Sequence, residues 1–373
     1  MKVSPLKIVF SEQDRQEILR RIDQALAQGQ VAQGRNVKEF EESFARYVGV
    51  KHAVAVSSGG AAIEVAMRLF GVQGKEVLVP TNTFAATATG VLLAGGTVRF
   101  ADAEPGTLCV SLKTLQAAAT PQTAGVIVVH IGGIIPPDIE AIRAWCDSRK
   151  IWLFEDAAHA HGSELGGKRA GRFGQAGAYS FFATKVMTSG EGGMLVTDDD
   201  ALAQRARGLR DYGKPDPWVS FHTEIGSNWR MAELCAAVGV VQLKRLDEFI
   251  AWREKTARFY QQALKEIPEL TAVDPRGRSS WYKKILLLPA GVSRDEVKAA
   301  LKERGVALPG GVYEVPLHRQ PVFEKMAQGN FPAAEEVCSR HICLPLYYGM
   351  TEEEARYVIE TLKSVLSEKG VRA

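Results

Sequence analysis

Apolar positions recur along the chain with two different periods, and their alternation is the first thing the sequence reveals. From Glu12 to Gln28, Ile18, Ile22, Ala25 and Leu26 fall at helical spacing, and Gly29 supplies a stop signal. Val37 to Val48 reads as a second helix, Ala53 to Val56 as a short buried strand, and Ala61 to Phe70 as a helix entered through Ser57-Ser58-Gly59-Gly60. Short apolar runs then predict strands at Glu76 to Val79, Thr97 to Phe100, Gly125 to His130 and Ile151 to Phe154, with helical stretches such as Pro137 to Arg149 between them. Such alternation builds crossover units, hence a mostly parallel sheet covered by helices, whose ligands bind beyond the carboxyl ends of the strands. Two more strands are expected at Ala178 to Phe182 and Gly193 to Val196, with Thr184 to Gly190 turning between them. Beyond Met231 a helical region runs to about Ile267. A strand near Lys284 to Leu288 and helices at Arg294 to Arg304 and Glu352 to Ser367 then suggest a smaller α/β lobe. The expected organisation is a large domain over 1–250 and a small C-terminal domain over 251–373.

Composition narrows the function without choosing it. The 373 residues are 46% apolar and 24% charged, which is ordinary for a folded enzyme-sized chain and argues against disorder. A net charge of +3 leaves no broad footprint for nucleic acid. Five scattered cysteines without a CxxC pair read as reduced core thiols. With no signal-peptide core and no apolar run of membrane length, the expected location is the cytoplasm.

Three features carry candidate chemistry. The turn Ser57-Ser58-Gly59-Gly60 presents backbone N–H groups at the positive end of a helix, which suits a phosphate, although an ordinary serine cap with turn glycines explains the same letters. Asp156 follows the run Ile151 to Phe154 and Glu155, so its carboxylate falls near the sheet's carboxyl edge, where it needs a partner; a protonated pyridine nitrogen is one, a helix N-terminus another. Lys185 lies in a small-residue turn, Ala183-Thr184-Lys185 ahead of Gly190-Glu191-Gly192-Gly193. Partial desolvation there would lower its pKa and free an amine to attack an aldehyde, whereas most lysines are solvated surface groups. His159 and His161 form an HxH pair with no third ligand at suitable spacing, so no metal is expected. The glycines at 171, 174 and 177 precede a strand instead of opening a helix, which excludes the dinucleotide fingerprint.

In this order, these segments resemble the DegT/DnrJ/EryC1/StrS family of sugar aminotransferases. The resemblance runs almost end to end. It includes Gly34 through Phe40, Ser57-Ser58-Gly59, the stretch Val79 to Thr87, Glu155-Asp156-Ala157-Ala158-His159-Ala160-His161-Gly162 and Ser180-Phe181 with Lys185. Gly190-Glu191-Gly192-Gly193, Asn228-Trp229-Arg230-Met231, Pro316-Leu317-His318 and Leu344-Pro345-Leu346 continue it. The family implies the pyridoxal-phosphate transferase fold of type I: a three-layer α/β/α large domain with a mostly parallel seven-stranded sheet, plus a smaller C-terminal α/β domain. It also implies pyridoxal 5'-phosphate as cofactor, with pyridoxamine 5'-phosphate as the form that carries the amino group.

Carried over position by position, Lys185 would hold the cofactor as a Schiff base and Asp156 would pair with the pyridine nitrogen. Phe84 would stack on the ring, where the alternative is a core phenylalanine. His159 would lie by the phenolic oxygen; Ser58, Ser180 and the N–H groups of Gly59 and Gly60 would hold the phosphate. Asn228 would reach the phosphate of a neighbouring subunit's cofactor, which implies a homodimer with shared sites. Arg230 and His318 could hold an anionic substrate, or serve packing and ion pairs. The implied reaction moves an amino group from a donor, by resemblance glutamate, to a keto-sugar linked to a nucleotide diphosphate. Cyclitol ketones and keto-acid sugars are alternative acceptors. A sugar dehydratase, which in this family carries histidine at the lysine position, and a non-catalytic regulator are alternative functions. Two departures stand out: Gly60 replaces a common threonine, leaving the phosphate to backbone groups, and His130-Ile131-Gly132-Gly133 lacks a common aromatic residue, which predicts open space beside the site.

Overall fold

The computed structural model describes residues 1–371. Among the described residues twelve strands occur in chain order: β1 (His52–Val56), β2 (Glu76–Pro80), β3 (Thr97–Ala101), β4 (Thr123–Val129), β5 (Trp152–Asp156), β6 (Glu164–Leu165), β7 (Lys168–Arg169), β8 (Ala176–Ser180), β9 (Gly193–Thr197), β10 (Thr271–Val273), β11 (Lys284–Leu287) and β12 (His341–Leu344). Seven form the main sheet in the order β1-β9-β8-β5-β4-β2-β3. Only β9 runs against the others, pairing antiparallel with both β1 and β8. The mostly parallel seven-stranded sheet is therefore present as expected, flanked by helices on both faces.

The strands read as near-continuous apolar runs because both faces are covered. Val54, Val77, Val79, Ile127 and Phe154 belong to one buried cluster, while Ala55, Leu78, Val126, Val128 and Leu153 belong to the other. Period-2 alternation thus divides each strand between two cores. A second sheet, β10-β11-β12, is antiparallel. Its middle strand repeats the device: Ile285 and Leu287 pack into the core of the main sheet, whereas Leu286 and Leu288 pack among the C-terminal helices. The helix Leu246–Leu264 does likewise along its length, with Phe249 and Ile250 in the main-sheet core and Tyr260 and Leu264 in the small one. The long helical region expected after Met231 is two helices, Glu233–Lys244 and Leu246–Leu264, broken at Arg245. Strands β10 and β12 lack a strong period-2 signature in so few residues, and sequence periodicity did not anticipate them.

At the carboxyl end of β5, Glu155 and Asp156 point to opposite sides. Glu155 is fully buried and saturated: it accepts from the N–H groups of Gly171 (2.7 Å), Phe173 and Gly174 (2.7 Å) and bonds His130 Nε2 (2.8 Å). This carboxylate stitches the loop before β8 to the end of β4, and so fixes the strand end that presents Asp156. Glu155→Ala leaves these donors without an acceptor in a dry core, and the expected cost is about 3–5 kcal/mol. Urea unfolding of the purified variant measures it, and a loss below about 1 kcal/mol would show that Glu155 is not the tie described.

Candidate active site

The strand ends of the main sheet open into a cavity of about 660 Å³, whose walls include Ser58, Gly59, Gly60, Phe84, Asp156, His159, Ser180 and Lys185. The structure therefore brings together eight residues from four separate segments of the chain, 58–60, 84, 156–159 and 180–185.

One end is the N-terminus of the helix Gly59–Leu69. Ser58 caps it, its hydroxyl accepting from the Ala61 N–H at 3.1 Å. The cap reading and the phosphate reading are compatible, since the remaining N–H groups of the first turn stay free. A Cβ on Gly59 would stand 2.8 Å from the Ser180 Cβ, so glycine is needed for the turn to approach β8. At Gly60 a Cβ would meet only ordinary contacts, the Ala86 Cβ at 3.5 Å and the Ser58 Oγ at 3.7 Å. Its missing side chain leaves this end of the cavity to backbone donors.

Asp156 lies deep in the cavity and is 5% exposed. The Thr87 hydroxyl donates to Oδ2 at 2.8 Å and the Ala158 N–H to Oδ1 at 3.2 Å. Burial pushes its pKa up, opposed by these two bonds and by the charge on Lys185. No ion pair joins Asp156 to Lys185 among the described residues, so carboxylate and amine face the cavity separately. Burial lowers the Lys185 amine to about 8; nearby Asp156 resists that shift and Lys283 adds to it. Its ammonium lies 4.9 Å from the centroid of the Tyr282 ring.

His159 is buried against the other aromatic groups, stacked on Tyr282 at 4.3 Å between centroids. Its Nδ1 accepts from the Gly132 N–H at 3.3 Å, so the ring proton sits on Nε2 and is donated to the Tyr313 hydroxyl at 3.2 Å. Burial, followed by the charges of Lys185 and Lys283, holds its pKa well below the usual histidine value and keeps the ring neutral. Tyr313, whose own pKa is raised by burial and by Asp156, retains its proton and can donate it into the cavity. Phe84 is 59% exposed and 6.0 Å from the Tyr313 ring, so it is a cavity wall and not a core residue.

Three expected residues lie elsewhere. Asn228 is exposed in the loop after Asp211, away from the cavity wall. Arg230 pairs with Asp211 and lies against Tyr212. His318 is buried between Thr81 Oγ1 (2.7 Å) and Glu335 Oε1 (2.9 Å). Neither Arg230 nor His318 lines the cavity, and both have the ion-pair and packing environments that were the alternative to substrate binding.

The open space expected at Gly132-Gly133 is absent. Both glycines have left-handed φ, +64° and +97°, and a Cβ would lie 2.7 Å from Ile285 Cδ1 at the first and 2.2 Å from Ser280 Oγ at the second. The segment from Ser279 to Ile285 fills that volume, bringing Tyr282 and Lys283 to the cavity. Sequence reasoning missed both, together with Tyr313 and Arg253. Only Tyr313 had a nearby signal, the Pro316-Leu317-His318 motif three residues on.

The sequence and the fold match a known group of proteins. The DegT/DnrJ/EryC1/StrS aminotransferase family model covers residues 12–363. The chain belongs to this family. It is 36% identical over 369 residues to the spore coat polysaccharide biosynthesis protein SpsC of Bacillus subtilis (strain 168), covering 94% of each chain. Its fold superposes on the aminotransferase TlmJ from Streptoalloteichus hindustanus with a TM-score of 0.90 at 31% identity, covering 99% of this chain and 100% of that one. It also superposes on the E. coli GDP-4-keto-6-deoxy-D-mannose-3-dehydratase with bound hydrated pyridoxal phosphate, with a TM-score of 0.88 at 25% identity, covering 97% and 100%. The fold is that of type I pyridoxal-phosphate enzymes, and the chain is an aminotransferase of the sugar-modifying kind that uses this cofactor.

The half-buried Lys185 amine should capture the cofactor aldehyde at a pH where a solvated lysine cannot. When cofactor-free protein is mixed with pyridoxal phosphate, the capture rate is expected to reach half its maximum near pH 8, not near the ordinary lysine value of 10.5. Stopped-flow absorbance across pH provides the profile, and a midpoint above 10 would contradict the desolvation described.

Proposed function

We propose that this aminotransferase moves an amino group from L-glutamate to a keto-sugar carried on a nucleoside diphosphate. The observation carrying this reading is Lys185, desolvated and facing the same cavity as the unpaired carboxylate of Asp156, with a helix N-terminus at Ser58–Gly60 closing one end. The cavity fits pyridoxal phosphate on its own terms: Asp156 is a buried carboxylate lacking a cation, and the Gly59–Ser180 approach makes a cradle that a Cβ would fill.

When bound, the cofactor supplies an aldehyde exchangeable between amines and a ring that accepts the electron pair released from the donor α-carbon. Asp156 would hold the proton on the ring nitrogen, its charge favoured there by the Thr87 hydroxyl and the Ala158 N–H. Ser58, Ser180 and the Gly59 and Gly60 N–H groups would hold the phosphate, and Phe84 would cover one face of the ring. His159, kept neutral and donating through Nε2, holds the Tyr313 hydroxyl at the cavity wall, and would lie by the phenolic oxygen of the bound cofactor. Lys185 would hold the cofactor and move the proton between the donor α-carbon and the cofactor C4′ carbon, acting as base and then acid.

A dehydratase shares this fold, so fold alone does not choose the reaction. The family's dehydratases carry histidine where this chain has Lys185, and the lysine favours transamination. The GDP-linked keto-sugar in that dehydratase's name supports a nucleotide-linked acceptor here as well. We also propose a homodimer. Trp218, Phe221 and Ile225 are 93%, 65% and 86% exposed in the loop that carries Asn228, a cluster of apolar groups suited to a second copy. In that assembly Asn228 would reach the partner's phosphate site.

Lys185→Ala removes a partly exposed side chain, so the variant should fold and elute like the wild type. Borohydride reduction followed by peptide mass spectrometry should find the cofactor on Lys185 in the wild type alone, and amino transfer from glutamate should fall by at least about a thousandfold in the variant. Transfer retained within tenfold would refute the assignment.

A further inference from the structure

The cavity contains more positive charge than its cofactor reading uses. Lys283 immediately precedes β11, and strand alternation puts it on the side of Ile285, facing the main sheet, while Lys284 turns away to pair with Asp274. Lys283 lines the cavity, yet its ammonium has no hydrogen bond or ion pair among the described residues. It sits 5.0 Å from the centroid of the Tyr282 ring, the ring that also has the Lys185 ammonium at 4.9 Å and His159 stacked upon it. The two lysines therefore share one aromatic neighbour and one wall.

Arg253 stands behind them. It is 4% exposed, donates Nη1 to the carbonyls of Trp281 (3.2 Å) and Leu346 (2.8 Å), and leaves Nε without a partner. No carboxylate among the described residues pairs with it, and burial lowers its pKa to about 10. Among the described residues, the carboxylates lining the cavity are Asp156, bonded by Thr87 and Ala158 and assigned to the ring nitrogen, and exposed Glu191. A buried guanidinium and a half-buried ammonium without counter-ions create a standing demand for an anion. The cofactor phosphate does not meet it, because its cradle is built from the Ser58–Gly60 turn and Ser180, whereas Lys283 belongs to the wall shared by Lys185 and His159.

We propose that Lys283, backed by Arg253, is the subsite for a carboxylate of the substrate being processed at Lys185. Lys283 is the direct ligand. Arg253 is a positioning residue that fixes the Trp281 backbone beside Lys283 and adds to the local potential. The proposal rests on the function given above and specifies what its substrate must display. A carboxylate on the amino-acid donor and one on an acid sugar have the same chemistry for this site.

The test uses the cofactor-loaded enzyme with Lys283→Met, which keeps length and removes charge, and Lys283→Arg, which restores charge. Aminooxyacetate and methoxyamine both displace the lysine from the cofactor and bleach its yellow colour, but only the first carries a carboxylate. A donor-carboxylate site predicts that the preference for aminooxyacetate falls about tenfold or more in Lys283→Met and recovers in part in Lys283→Arg, the size expected for one charge-assisted hydrogen bond. An acid-sugar site predicts instead an unchanged preference and a loss of UDP-glucuronate binding relative to UDP-glucose, read by calorimetry. If both discriminations are unchanged in Lys283→Met, the subsite is overturned while the function stands. A wild type that acquires no yellow colour with pyridoxal phosphate contradicts the function itself and the subsite with it.

Discussion

A carboxylate kept out of water at the end of a parallel strand is the constraint on which this site depends. Asp156 terminates β5 with one bond from Thr87 and one from Ala158, which leaves its charge only partly compensated. The next residue inward, Glu155, is fully satisfied, by three backbone N–H groups and His130. The same strand thus ends in one carboxylate whose demands are met within the fold and one whose demands are left for a ligand. The first fixes the strand end that presents the second, whose carboxylate makes no ion pair with Lys185 among the described residues.

Around that point the two sheets cooperate. The main sheet supplies the helix terminus, the carboxylate, Ser180 and the lysine turn. The approach to the small sheet supplies Tyr282 and Lys283, and the segment after β11 supplies Tyr313, whose hydroxyl accepts a hydrogen bond from His159 Nε2. Because Ile285 is packed into the main-sheet core, the strand carrying Lys283 is anchored by the same burial that joins the two sheets. On the roles proposed above, cofactor chemistry would fall to the residues of the main sheet and substrate recognition to those beside the small one.

What the sequence made legible follows this division. The β/α alternation places seven strands and the turns at Ser57–Gly60 and Thr184–Gly190, so it groups the residues at the carboxyl edge of one sheet from the sequence alone. Lys185, Asp156, Phe84, His159 and Ser180 all lie in such turns or strand ends. Tyr282, Lys283 and Arg253 reach the cavity only through packing of the second sheet and the helix Leu246–Leu264, and nothing local to those residues encodes it; Tyr313 had only the nearby Pro316-Leu317-His318 motif. The Gly132-Gly133 pair shows the same limit from the other side. Small residues in sequence suggested a void, whereas their missing Cβ atoms admit Ile285 and Ser280 from more than a hundred residues away. Arg230 and His318, polar residues within family motifs, turn out to be engaged by Asp211 and by Thr81 and Glu335.

The most direct measurement of the central claim is the visible spectrum of the protein loaded with pyridoxal phosphate, before and after addition of L-glutamate under anaerobic conditions. The account predicts a yellow band that glutamate converts to the shorter-wavelength absorbance of pyridoxamine phosphate, with one equivalent of 2-oxoglutarate released per site. A yellow band that persists at saturating glutamate would contradict the assigned donor half-reaction.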